Sequence, residues 1–294
     1  MQDHQLPFVE HLRELRKRLR TAVIALLVAT GIAFAFSETL YVLLARPLIT
    51  AWRDAGLGMP KLHFGSLTEP FWVYFKVSMY AGVFLAAPVL FHQLWSFIAP
   101  GLYERERRVA IPFALCSALF FIGGALFCYT FVLPPTFDFF LSYSSANIGR
   151  LQDSFGFIDT QVGAPLQVEP TLFMSQYLDL TVKMLLAFGL VFELPLLIFF
   201  LSFVGLVTHR GLWRFNKYAV ILAFVVGAVL TPGPDVVSQL MMALPIIVLY
   251  NLSIIVAWVV TRRRARAARK ADAALVDDVA ATGNDGEAGG LTVK

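Results

Sequence analysis

Long apolar runs separated by short polar segments dominate the chain from residue 21 onward. Six runs can be delimited, at 21–43, 71–91, 111–133, 178–207, 218–230 and 236–260. A helix needs roughly 20 apolar residues to cross a bilayer, and five of the runs reach that length. The first continues past a polar step at Ser37-Glu38-Thr39. The fourth encloses Lys183, Glu193 and Pro195. The fifth holds only about 13 apolar residues and is followed by Thr231-Pro232-Gly233-Pro234-Asp235. Two prolines and a glycine cannot continue a helix, so this is a sharp turn. The fifth and sixth runs therefore read as a short helical hairpin. The pattern predicts an all-α integral membrane protein with six transmembrane helices.

Composition and charge give this reading an orientation. Of 294 residues, 58% are hydrophobic and 15% charged. A soluble domain has about 45–50% apolar and about 25% charged residues, so one globular core could not hide this surface. Basic residues cluster at Arg13–Arg20, Arg105–Arg108, Arg210–Lys217 and Arg262–Lys270. With six spans, seventeen lysines and arginines fall on one face, against Arg46, Arg53, Lys61 and Arg150 on the other. The positive-inside rule makes the first face cytoplasmic, with both termini on it. The organisation is then a cytoplasmic segment 1–20, a transmembrane domain 21–260, and a tail 261–294 that is basic and then disordered. The exterior loops are 46–70 and 134–177, and the second is long enough to have structure or function of its own. No internal repeat is visible.

Other classes are argued against by composition and motif. The basic residues form no stripe for nucleic acid. Cys116 and Cys128 lie twelve residues apart in one run, about 18 Å along a helix, too far to pair. No zinc spacing, phosphate-binding loop or Ser-His-Asp order is present, so no metal, cofactor or enzymatic activity is expected. Asp3, Glu10 and Glu14 argue against a cleavable signal peptide, although Ala33-Phe34-Ala35 weakly imitates a cleavage site.

A few polar residues stand out against this background. Glu14 can pair with Arg18 one turn on, worth a few tenths of a kcal/mol. Glu106 sits among Arg105, Arg107 and Arg108, where it can pair within its own loop. Either acid could instead hold a guanidinium through two parallel hydrogen bonds, which an ammonium cannot reproduce. Glu193 lies in mid-run, where a carboxylate costs several kcal/mol unless paired, protonated or wet. It is either a functional acid or a hydrogen-bonding partner for a neighbouring helix. Lys76 and Lys183 lie near the exterior ends of their runs and are expected to snorkel. Asp235 is placed to cap the sixth helix, with Gln239 one turn on.

Taken together, these strings resemble the TatC family of the twin-arginine translocase. The resemblance rests on His11-Leu-Arg-Glu-Leu-Arg-Lys-Arg-Leu19, Thr68-Glu-Pro-Phe71 with Lys76, and Gln93-Leu-Trp-Ser-Phe-Ile-Ala-Pro-Gly-Leu102 followed by Glu106-Arg107-Arg108. Phe188-Gly-Leu-Val-Phe-Glu-Leu-Pro195 and Thr231-Pro-Gly-Pro-Asp235 with Ser238-Gln239 extend it. It implies a glove-like six-helix cup in the bacterial inner membrane, with both termini inside. It implies that Glu14 and Glu106 receive the paired arginines of signal peptides, with Leu15, Arg16, Phe97, Arg107 and Arg108 shaping the surface. Glu193 would face the concave, partly hydrated side. Pro47 and Phe71 match exterior positions that affect assembly, and Asp235 and Gln239 lie near where partners would dock. The implied partners are single-span TatA and TatB, twin-arginine precursors, further copies of the chain, and lipid. The implied energy source is the proton-motive force. Two departures are Asn251 after Tyr250, where the family often has Glu, and Gly233 between the prolines of the turn. The residues alone leave open a secondary transporter built on Glu193, or a structural scaffold.

Overall fold

The computed structural model describes residues 6–98, 110–142, 170–231 and 236–287. Helices account for nearly all of them. They are α1 (Leu6–Phe34), α2 (Ser37–Asp54), α3 (Glu69–Ile98), α4 (Ala110–Phe127) and α5 (Leu133–Leu141). After these come α6 (Met174–Phe192), α7 (Leu194–Val204), α8 (His209–Leu230) and α9 (Val236–Glu287). Five helical stretches are long and apolar enough to span a membrane: Glu69–Ile98, Ile111–Leu141, Met174–Val204, His209–Leu230 and Val236–Arg263. The bent pair Val9–Phe34 with Ser37–Asp54 makes a sixth.

That bend is the first correction to the sequence reading. The run 21–43 is not one helix: it breaks at Ala35-Phe36 and turns by 82°. The α1 end tightens through Ala35 N–H to Ile32 O (3.2 Å) and Phe36 N–H to Ala33 O (3.0 Å). Ser37 and Glu38 then open α2, with an acid in its first turn where the helix dipole favours it. α2 buries Tyr41, Ala45, Leu48 and Trp52 and leaves Arg46 and Arg53 exposed. It is amphipathic, not an extension of an all-round apolar span.

Other boundaries move too. The third span continues into 134–141, which was expected to be exterior loop. Between α4 and α5 lies a π-helical turn, Cys128–Val132, closed by Leu133 N–H to Cys128 O. Pro134 and Pro135 explain it: neither has an N–H for the carbonyls at 130 and 131, so the chain takes a wider turn. Within the fourth run, α6 ends and α7 begins at Glu193, two residues before Pro195. The fifth and sixth helices are not short. α8 has 22 residues because it begins at His209, well before its apolar run. α9 continues to Glu287, where disorder was expected over 271–287. Alanine, the best helix former, recurs through 265–281 without a proline, and this propensity outweighs the polar composition.

The chain divides into two compact units. The first comprises Met1–Glu193 and Ile221–Ile246. There α3 packs against α1 and α4, and α4 against α6. Leu133, Leu178, Met184 and Phe188 are fully buried in its core. Its exterior end is closed by a two-residue parallel pairing of β1 (Leu62–His63) with β2 (Leu172–Phe173). The second unit comprises Leu194–Val220 and Ile247–Lys294, with a core of Ile198, Tyr250, Ile254 and Ala257. Leu27, Leu115, Leu126 and Val229 are among many large apolar side chains left exposed. In a spanning protein this surface is solvated by lipid.

Candidate functional site

At the basic end of the first unit, α1 and α3 come together. Gly82 of α3 lets the two backbones touch: a Cβ there would lie 2.9 Å from Thr30 N and 2.5 Å from Thr30 Oγ1. From that crossing the helices run to a ring stack, His11 on Phe97, with centroids 4.5 Å apart and planes at 22°. Glu14 follows His11 by three residues, on the same helical face. Arg18 holds it, with Nε donating to Glu14 Oε1 at 3.0 Å and Nη2 donating to the same oxygen. The local pairing expected from the sequence is therefore formed. Leu15 and Arg16 are exposed beside it. The structure thus brings together Glu14, Leu15, Arg16 and Phe97. Glu106, Arg107 and Arg108 lie outside the described residues.

Deeper in the same unit is Glu193. Its carboxyl interacts with the Ser117 side chain and the Phe121 backbone of α4. Its Oε1 is buried without a hydrogen-bond partner among the described residues. Ser117 is fully buried and accepts from Trp95 Nε1 of α3 at 2.8 Å. Trp95, Ser117 and Glu193 therefore bring polar groups from three helices to one place. Close packing holds them there. A Cβ on Gly124 would lie 2.5 Å from the Phe188 carbonyl oxygen, and one on Gly189 would lie 2.7 Å from the Phe121 ring. Only hydrogen at both positions lets α4 and α6 approach this closely.

The exterior end carries an ion pair that sequence reasoning missed. Lys76 Nζ donates to both carboxylate oxygens of Asp179, at 3.0 and 3.2 Å, so it does not simply snorkel. Two turns earlier on α3, Glu69 accepts from Gly65 N–H (2.5 Å) and Ser175 N–H (3.1 Å). These bonds tie the loop after α2 and the start of α6 to α3. Tyr129 and Tyr177 donate to the Leu43 and Leu44 carbonyls of α2, the former at 2.7 Å. Pro47 is buried within α2, whereas Phe71 is exposed and meets Trp72 edge to face at 5.7 Å. The available signal for the ion pair was a second charge of opposite sign, Asp179, at a matching depth in another run.

In the hairpin, Gln239 Nε2 donates to Phe224 O at 2.8 Å, beside Gly227. It stitches α8 to α9 within the first unit. Asp235 lies outside the described residues. Asn251, in the second unit, donates to Ile247 O one turn back at 2.8 Å. Cys116 and Cys128 are both free thiols. Among the described residues no cluster of His, Cys, Asp and Glu could hold a metal ion.

Comparison with known proteins gives this arrangement a family. The model of the family "Sec-independent protein translocase protein (TatC)" matches residues 10–245. A Sec-independent protein translocase protein TatC from Desulforapulum autotrophicum is 42% identical over 263 residues, covering 90% of this chain and 88% of its own length. The one from Aquifex aeolicus is 37% identical over 259 residues, covering 88% and 98%. A crystal structure of the twin-arginine translocase receptor TatC superposes with a TM-score of 0.66 at 37% identity, covering 85% of this chain and 99% of that one.

Proposed function

Because the chain belongs to the TatC family, and is therefore a multi-pass membrane subunit of the Tat protein-transport system, we propose that its α1–α3 end receives the paired arginines of twin-arginine signal peptides. One observation carries this. The His11–Phe97 stack holds the Glu14 turn against the end of α3, from which the chain leads directly into the segment bearing Glu106. Two carboxylates on neighbouring segments suit two adjacent guanidiniums, each through charge-assisted, paired hydrogen bonds. Arg18 already occupies Glu14, so an incoming arginine exchanges with it or shares the carboxylate, which has about four acceptor positions. Arg16, Arg107 and Arg108 repel basic segments that lack a properly aimed guanidinium. Leu15 and Phe97 offer apolar contact for the residues beside the pair.

The other site residues take supporting roles in this reading. Glu193, with one oxygen unpartnered, supplies a polar point inside the membrane for a transiting chain or a partner helix. Phe71 presents the exterior end for assembly of further copies, and Pro47, buried within α2, shapes that end from beneath. Asp235 and Gln239 bring the hairpin to single-span TatA and TatB. Folded precursors then cross at the expense of the proton-motive force.

The test is site-specific cross-linking from Glu14 positions to a precursor in native membranes. A signal peptide with paired arginines cross-links, and its paired-lysine version does so far less. Glu14→Gln lowers arginine-peptide affinity by about 1.5–3 kcal/mol, the range for hydrogen bonds to charged groups. Equal capture of the arginine and lysine peptides sinks the proposal.

A further inference from the structure

We propose that the recess between the start of α8 and the distal half of α9's spanning stretch binds the phosphate headgroup of an anionic phospholipid. The recess has a volume of about 920 Å³ and lies wholly within the second unit. Its walls are His209, Arg210, Trp213 and Arg214 on one side and Ile255 and Trp258 on the other. Among the described residues no acidic side chain lines it. Arg210 and Arg214 are four residues apart on one helix, so their guanidiniums share a face. The Arg262 guanidinium sits 5.1 Å from the Trp258 ring centre and adds a third positive charge at the rim. His209 Nδ1 is buried there without a hydrogen-bond partner among the described residues.

Position decides between a lipid and a free anion. The apolar run of α8 begins at Tyr218, and that of α9 ends at Val260. The recess therefore lies where hydrocarbon gives way to water. Two tryptophans at that level, Trp213 and Trp258, are both exposed, as interfacial anchors are. Below the arginines the surface continues through exposed Ile255 and Leu252 into the lipid-facing side of α9. An anion carrying an acyl tail satisfies both halves of this surface, whereas inorganic phosphate satisfies one. Basic pockets beside spanning helices on the positively charged face suit such headgroups.

Native mass spectrometry of the full chain, released from nanodiscs of mixed phosphatidylglycerol and phosphatidylcholine, tests the proposal. The expected result is preferential retention of phosphatidylglycerol, undisturbed by millimolar inorganic phosphate. Arg210→Gln with Arg214→Gln should reduce that retention by about fivefold per arginine and leave phosphatidylcholine unchanged. Arg210→Lys with Arg214→Lys, a milder pair for the case in which the first does not fold, keeps the preference with weaker retention, because point charges replace the guanidinium forks. Equal retention of the two lipids by the unaltered chain overturns the proposal, as does an unaltered preference in the glutamine variant. Displacement by inorganic phosphate overturns the assignment to lipid.

Discussion

Gly123 and Gly124 are neighbours on α4 with opposite surroundings. A Cβ on Gly123 meets nothing within 4 Å. A Cβ on Gly124 meets the Phe188 carbonyl oxygen at 2.5 Å and Phe192 Cβ at 2.8 Å. The first of these is backbone and cannot swing aside. Reaching even 3.0 Å requires α4 and α6 to separate by about 0.5 Å. Overpacking of this kind costs about 1–3 kcal/mol. Alanine also gains up to about 1 kcal/mol of helix propensity over glycine, and this gain is common to both positions. Gly123→Ala should therefore be neutral or stabilising, and Gly124→Ala destabilising. The protein supplies its own reporter: Cys128 is fully buried and Cys116 exposed, so a thiol-reactive dye labels Cys128 only on unfolding. Heating both variants in detergent with the dye gives the comparison. The Gly124 variant should melt below the unaltered chain and the Gly123 variant at or above it. Identical midpoints would refute the claim that a backbone contact fixes the α4–α6 distance. The same displacement moves Ser117 away from Glu193, so export should suffer in the Gly124 variant alone.

Further expectations concern the exterior end and the hairpin. Lys76→Ala and Asp179→Ala should each lower the melting midpoint. Their coupling in a double-mutant cycle should stay below about 1 kcal/mol, because both side chains are more than a third exposed. The reversed pair Lys76→Asp with Asp179→Lys should recover most of the loss. Gln239→Leu removes the bond to the Phe224 carbonyl and should cost about 1 kcal/mol. Faster hydrogen exchange in the second half of α8, measured by mass spectrometry, would register it.

What the sequence disclosed, and what it hid, follows from the range of each effect. Spans were legible because hydrophobic length is a local property of the chain. The Glu14–Arg18 pair was legible because it spans one helical turn. The Lys76–Asp179 pair joins residues 103 positions apart, and no local pattern marks two such charges as partners. Ser117 was passed over because an isolated serine in an apolar run carries no signal until Trp95 and Glu193 are placed around it. The break at Ala35-Phe36 was hidden because it needs neither proline nor glycine: the chain turns where α2 finds a better surface for Tyr41, Leu48 and Trp52. The helix through residues 271–287 was misjudged because charge and glycine content were weighed above the alanines.

The π turn at Cys128–Val132 works as a phase adjustment in the third span. Each residue advances an α-helix by roughly 100°, so one residue more or less redirects everything downstream by that angle. Upstream, Ala118, Phe121 and Ala125 face the core; downstream, Leu133, Phe137 and Leu141 do. The two stripes fall out of step on an uninterrupted α-helix, and the wide turn brings them back into register. Deleting any single residue from it would leave the span's length and hydropathy nearly intact. It would also let the span run as an uninterrupted α-helix, because the deletion removes the same roughly 100° that the wide turn absorbs, and Leu133, Phe137 and Leu141 would keep facing the core. The change the fold tolerates least is instead one added residue, equally invisible to a hydropathy plot, which would turn Leu133, Phe137 and Leu141 about another 100° from the core stripe.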